Sequence, residues 1–473
     1  MNGTTIARVA AGALALSMLA ACASERGGSV AVPGVGDGGA ATPAAASGDG
    51  QEMFGTLPSP CGKGDAKGAT DQGVTDTSIA IGFGDDRGFP RAPGLSKEMG
   101  DAVSTMIKWC NAQGGINGRQ IVGHQYDAAY MQSVTVMQKA CKQDFMLVGQ
   151  GFAMDEAAEQ YRVGCTLPTV AGYTVGSNAS MGPMKFEAVP YPVDYFNAAV
   201  QKLAAEKFPE FREKVDLVTS TSPAVMAGSN KIKDALKILG VKTMDCGVQL
   251  NNDGDPSYVP FAEKFKACGV KALWTSKSPD PAGFSLLEAL DRVGAHPTLV
   301  FESTWYSPAV AKWNTGGQGD NLHVGLFFQP FENADKVPAV KKYLDLVNAG
   351  GGKVAMLGMQ ATSAFLLWAT AAKECGSDLT RQCMVNKLSQ VHEWTGGGLH
   401  APTDPGANMP TDCALMMKLT GSTFEQVAPA NVGEFACDAS NVLTTDPSTW
   451  GTTLNEDRIA TTFLSPNVIK PQA

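Results

Sequence analysis

From about Thr77 onward, short apolar runs alternate with amphipathic stretches. The β-rich runs are Ser78–Gly84, Gln120–Tyr126, Phe145–Gly149, Lys185–Val189, Val215–Ser220, Ala272–Ser276, Thr298–Glu302 and His323–Phe328, and each predicts a strand. Amphipathic stretches such as Ala227–Leu239 and Phe284–Val293 separate them. Met99, Ala102, Val103, Met106 and Cys110 recur at spacings of three and four, which places them on one face of a helix. Alternation of this kind predicts βαβ units and parallel sheets covered by helices on both faces. Thr362–Cys375 is apolar nearly all round, with Phe365, Leu366, Leu367 and Trp368, and predicts a helix buried between neighbours. After Gly396 the alternation stops, and a strand pair is expected around Cys413–Leu419 and Thr423–Val427.

The first sixty residues have a different character. Arg8 precedes an apolar run, Val9–Leu19, that is far too short to span a bilayer. Leu19-Ala20-Ala21-Cys22 then has the form of a lipobox, in which small residues enter the signal peptidase and the thiol receives diacylglycerol. Residues 1–21 are expected to be a lipoprotein signal peptide and Cys22 the lipidation site; the alternative is an ordinary signal peptide cut after Ala21. Gly, Ala, Ser and Pro dominate residues 22–60, which predicts a flexible tether. This places the protein, lipid-anchored, on the extracytoplasmic face of the bacterial cell membrane. No later run reaches about 18 consecutive apolar residues, the length a spanning helix needs. The remaining residues exceed what one core normally holds, so two lobes are expected.

The net charge is −9, and no basic cluster is dense enough to neutralise a phosphate backbone, which argues against nucleic acid as a partner. Beyond Cys22 there are ten cysteines: Cys61, Cys110, Cys141, Cys165, Cys246, Cys268, Cys375, Cys383, Cys413 and Cys437. An even number in an exported chain favours disulfides, and spacing alone leaves their connectivity open. Neighbour pairing is the scheme expected here: 61–110, 141–165, 246–268, 375–383 and 413–437. No Cys-x-x-Cys spacing suggests a metal site, and no metal or cofactor is expected. His124, His296, His323, His392 and His400 are scattered without ligand spacing, and no Gly-x-Ser-x-Gly elbow, P-loop or His-Glu-x-x-His occurs. The chain therefore does not read as an enzyme.

Between Asn111 and Asp127 the chain reads Asn-Ala-Gln-Gly-Gly-Ile-Asn-Gly-Arg-Gln-Ile-Val-Gly-His-Gln-Tyr-Asp. Gly114 and Gly115 can close a helix in the left-handed conformation, and Asn117-Gly118 can turn again before a strand. This word resembles one in the leucine/isoleucine/valine-binding family of periplasmic solute-binding proteins, and the likeness covers roughly Gly73 to Val442. The resemblance implies two doubly wound parallel-sheet lobes of the type I periplasmic-binding-protein class, joined by a three-segment hinge. Lobe one would comprise 61–189 with 330–398, and lobe two 190–329 with 399–473. It further implies a monomer that captures a small polar molecule, an amino acid or a related amide or carboxylate, and delivers it to the permease of an ABC importer. The alternative is a ligand-sensing receptor lipoprotein that signals to a membrane partner; a third is an envelope lipoprotein with a vestigial cleft.

Ligands of open parallel sheets collect beyond the carboxyl ends of the strands, so the loops there supply the candidates. In the first loop, Asp86 can accept from an ammonium, Arg87 can grip a carboxylate and Phe89 can cover it, or the loop is a solvated turn. Where the resembled family has a small polar motif, this loop is charged. In the second, Phe152, Ala153 and Met154 lead into a helix whose bare N–H groups form a carboxylate site. In the third, Gly172, Tyr173 and Thr174 resemble the family's head-group segment, with Thr174 donating its hydroxyl. From lobe two come Ser278, Glu302, Ser303 and Thr304, where Glu302 either meets a ligand ammonium or pairs with Lys277 across the cleft.

Overall fold

The computed structural model describes residues 52–252 and 254–472. The signal peptide, Cys22 and residues 22–51 of the expected tether lie outside them. The first sheet contains β1 (Ser78–Asp85), β2 (Gln120–Asp127), β3 (Met146–Val148), β4 (Thr169–Ala171) and β5 (Lys185–Glu187). Its order is β2-β1-β3-β4-β5, with every pairing parallel. Helix α1 (Lys97–Ala112) links β1 to β2 and buries Met99, Ala102, Val103, Met106 and Cys110, the face the periodicity predicts. Its exit behaves as expected: Gly114 and Gly115 have φ of 114° and 78°, and Asn117 and Gly118 have φ of 51° and 90°. A Cβ on Gly115 would lie 2.0 Å from the Arg119 carbonyl oxygen, so glycine is obligatory at that turn.

The second sheet contains β6 (Val215–Leu217), β7 (Ala272–Thr275), β8 (Thr298–Phe301) and β9 (Leu322–Leu326), all mutually parallel. Helix α2 (Pro223–Ile238) follows β6. All four strands are buried along their length, as a sheet covered on both faces requires. The central helix α3 (Met356–Cys375) packs against α1 and the first sheet, with Phe365, Leu366, Leu367 and Trp368 fully buried. Strands β10 (Cys413–Thr420) and β11 (Thr423–Ala428) form a hairpin on the edge of the second sheet, antiparallel to β9. The second lobe's sheet is thus mixed rather than wholly parallel: the tight turn at Gly421 makes β10 and β11 antiparallel, and β10 enters the sheet antiparallel to β9 after the chain has passed through the other lobe. The three-residue β4 was absent from the predicted strands.

Three segments connect the sheets and bond to one another. Ala401 N donates to Phe327 O at 3.0 Å, Gln329 N to Leu399 O at 2.9 Å, and Thr403 Oγ1 to Ala188 O at 2.7 Å. All five disulfides expected from neighbour pairing are formed: Cys61–Cys110, Cys141–Cys165, Cys246–Cys268, Cys375–Cys383 and Cys413–Cys437.

Both ends depart from expectation. Residues 52–60, assigned to the flexible tether, are folded: Met53–Phe54 pairs with Leu57–Pro58, and Phe54 is fully buried. Its ring meets the Trp109 ring edge-on at 5.9 Å, so one aromatic among small residues fastens the segment to α1. The tail also differs from the assignment of 399–473 to lobe two. Val442–Thr444 pairs with Tyr195–Asn197, after which the chain returns to the first lobe. There Ala460 N donates to Met181 O at 2.8 Å, Thr462 Oγ1 to Asn178 Oδ1 at 2.8 Å, and Gln472 N to Asn386 Oδ1 at 2.9 Å. Polar, loop-rich sequence carries no periodicity from which such docking can be read. Among the described residues, no helix is long and apolar enough to cross a membrane.

Candidate functional site

The carboxyl ends of both sheets open onto a cavity of about 320 Å³, within the range of sites that enclose small organic ligands. Its walls are largely aromatic and aliphatic, including Phe89, Tyr130, Tyr191, Phe196, Trp274 and Phe301. At its mouth the Phe89 and Tyr130 rings stack with centroids 4.6 Å apart. Tyr130 Oη lies 2.7 Å from Ser222 Oγ, a hydrogen bond that joins the loop after β2 to the start of α2.

Eight of the thirteen residues proposed from sequence line this cavity: Phe89, Ala153, Tyr173, Thr174, Ser278, Glu302, Ser303 and Thr304. The other five, Asp86, Arg87, Phe152, Met154 and Gly172, stand behind its wall. Arg87 donates to both oxygens of Asp85, at 2.8 and 2.6 Å, and lies 3.2 Å from Asp101, so the charges of the first loop satisfy one another. Phe152 is buried with Tyr126, Met137 and Leu147. Met154 accepts at its backbone oxygen from Ser133 Oγ, 2.7 Å away. Gly172 is tightly packed, since a Cβ there would fall 2.8 Å from Gly149 O and 2.3 Å from Met99 Cε.

Asp86 is fully buried. Its Oδ1 accepts from Tyr130 N and its Oδ2 from Ala153 N, each at 2.7 Å. Burial pushes its carboxyl up to about 6, against the pull of these two donors. The backbone N–H expected to receive a ligand carboxylate is therefore occupied by a carboxylate of the chain itself. Thr174 is likewise committed, because its hydroxyl donates to Glu187 Oε1 at 2.8 Å. It can offer a ligand only its lone pairs.

Glu302 lies on the wall after β8, where its carboxylate accepts from the Thr304 hydroxyl. Burial raises its pKa from 4.5 to about 7, only partly offset by Thr304. The alternative pairing of Glu302 with Lys277 does not form; Lys277 pairs with Asp280, the N-cap of Pro281–Arg292, three residues further along the same loop. Groups so close in the chain meet at lower entropic cost than groups on separate loops.

Lys231 on α2 was missed. It is 1 % exposed and lines the cavity, with Nζ 3.7 Å from the Tyr191 ring centre and 3.3 Å from Tyr191 O. Burial lowers its pKa from 10.5 to about 7, although Glu187 works in the opposite direction. In sequence a lysine beside Lys233 reads as a solvated helix face. The available signal was phase: Lys231 follows Gly228 by three residues and precedes Ala235 by four, on the buried stripe with Ile232.

Two sheets of βαβ units, three bonded connections and a cavity between their carboxyl ends define a two-lobed ligand-binding protein. Residues 78–423 match the family of periplasmic binding proteins, and the chain belongs to that family. Solved structures share the fold. A leucine binding protein from Thermotoga maritima is 13% identical, with 74% of this chain and 98% of that one covered and a TM-score of 0.60. A fatty acid ABC transporter substrate-binding protein from Thermomonospora curvata is 16% identical, with coverages of 79% and 97% and a TM-score of 0.60. A branched-chain amino acid transporter substrate binding protein from Streptococcus pneumoniae, in complex with isoleucine, is 17% identical, with coverages of 75% and 100% and a TM-score of 0.60. No curated protein matches the sequence.

Proposed function

We propose that the chain is a lipid-anchored, extracytoplasmic solute-binding protein that captures a small molecule between its lobes and presents it to an ABC importer. The ligand is an amino acid or a related carboxylate or amide with a substantial apolar part. The observation that carries this reading is the cavity of about 320 Å³, walled by both lobes, aromatic in character and furnished with Lys231 and Glu302. Solved relatives of the same fold bear names that refer to leucine, branched-chain amino acids and fatty acids, and these are the ligand classes to try first. The Tyr130–Ser222 contact suits a closed state, and ligand contacts to both lobes would bias the hinge toward it. Leu19-Ala20-Ala21-Cys22 supports the anchor.

A thermal-shift screen of the purified protein against amino acids, aromatic and aliphatic acids and their amides tests the reading. A ligand at one hundred times its Kd stabilises by about 2.7 kcal/mol. Absence of any shift across these pools would count against a solute-binding role. For the anchor, Cys22→Ala is expected to move the protein from the membrane fraction to the soluble one; unchanged partition would refute it.

A further inference from the structure

We propose that Lys231 anchors a ligand carboxylate, so that the cleft takes monoanionic carboxylates with an aromatic or apolar body. This rests on the solute-binding reading and narrows it to a ligand class. The Lys231 ammonium is nearly sealed from water, yet its contacts are two aromatic rings, Tyr191 at 3.7 Å and Trp450 at 5.5 Å, and one backbone carbonyl. Among the described residues, no carboxylate lies within ion-pair distance of it. A buried charge ordinarily requires such a partner.

The charged groups facing it are otherwise engaged. Glu187 accepts from Lys185 Nζ at 2.9 Å, Thr174 Oγ1 at 2.8 Å and Tyr191 N at 3.1 Å. Asp155 accepts from Val175 N at 2.7 Å and Gly176 N at 2.8 Å, and Asp194 pairs with Arg458 at 2.6 Å. The alternative carboxylate position, Ala153 N, is filled by Asp86. The second cation on the wall, Lys277, is neutralised by Asp280. One uncommitted ammonium matches one negative charge, and a single lysine lacks the donors that a dianionic phosphate would need. Burial holds the empty amine near pH 7, so a carboxylate beside it would draw a proton onto Nζ. The surrounding Tyr191, Phe196 and Trp274 rings suit an aromatic body.

The test is calorimetry on the full-length protein at pH 8, with 3-phenylpropionate and its neutral amide, 3-phenylpropanamide, in two buffers of different ionisation enthalpy. The acid is expected to bind at least about tenfold more tightly than the amide and to take up close to one proton per ligand. Lys231→Met removes both the preference and the proton uptake. Lys233→Met, on the exposed face of α2, changes neither. Equal binding of acid and amide, or a preference that survives Lys231→Met, overturns the anchor and leaves the solute-binding reading standing. Binding of neither probe overturns the ligand class, and the thermal-shift pools then decide the wider reading.

Discussion

Replacing Lys231 with methionine should stabilise the ligand-free protein, and by an amount that depends on pH. The amine is 1 % exposed and its pKa falls from 10.5 to about 7 on folding. Between those values the unfolded chain holds a proton that the folded chain lacks, so this group makes stability rise with pH across that window. Below about pH 7 the full penalty applies; the fall from 10.5 to about 7, at 1.36 kcal/mol per pH unit, amounts to about 5 kcal/mol. Methionine has a similar shape and no charge to desolvate, but it forfeits the contact with the Tyr191 ring, worth roughly 1–2 kcal/mol. The variant should therefore be more stable by about 3 kcal/mol at pH 7, with the difference shrinking steadily toward pH 10. Urea unfolding of both proteins, followed by tryptophan fluorescence at each pH unit from 7 to 10, measures it. A difference that does not change with pH would refute the reasoning, as would a methionine variant less stable at pH 7.

For a ligand that carries an ammonium or amide N–H, Thr174→Ala and Glu302→Ala should each weaken binding at least about tenfold, roughly 1.4 kcal/mol, by calorimetry; unchanged affinity in both would place that group elsewhere. Phe54→Ala should cost about 3–5 kcal/mol, read as a lower urea midpoint, because a fully buried ring leaves a cavity against Trp109. A change under 1 kcal/mol would mean that residues 52–60 are not part of the folded unit. Replacing Cys61 and Cys110 together by serine opens a link with a sequence separation of 49, for which loop-closure entropy predicts a loss of about 4 kcal/mol in the urea midpoint analysis. An unchanged midpoint would argue against that pairing.

Local patterns carried much of the architecture. All eight predicted strands exist: most are buried on both faces and so written in apolar runs, while the edge strand Gln120–Asp127 is largely exposed and was marked by the turn residues before it. The word from Asn111 to Asp127 was legible for a related reason: Gly115 and Gly118 are demanded by backbone geometry within a few residues. Strand β4, Thr169–Ala171, lies closely bracketed by Pro168 and Gly172, residues that read as a turn, and was left out of the predicted strands. Phe54 was read as tether because its partner, Trp109, lies far along the chain.

The candidate site was harder to read. The loops named from sequence contribute eight lining residues to the cavity, but which side chains face it depends on pairings between distant segments. Asp86, open in sequence between a ligand contact and a solvated turn, is instead buried and bonded to Tyr130 N and Ala153 N. Lys231 was not singled out at all, because only the packing of α2 beneath Tyr191 brings it to the cavity.

Family and strand-and-helix order were thus legible in the chain alone, since each is set by short-range geometry or by periodicity; the cysteine pairing was an expectation that spacing left open until the fold brought the partners together. Tertiary structure alone decided which charges are spent on one another and which remain for a ligand. Asp85, Arg87 and Lys277 are paired with opposite charges inside the chain and Asp86 is held by two backbone N–H groups, whereas Lys231 and Glu302 have no charged partner among the described residues. The reason is physical: a charge's availability depends on what lies within a few ångströms of it and on how much water remains, and both are fixed only when the lobes pack.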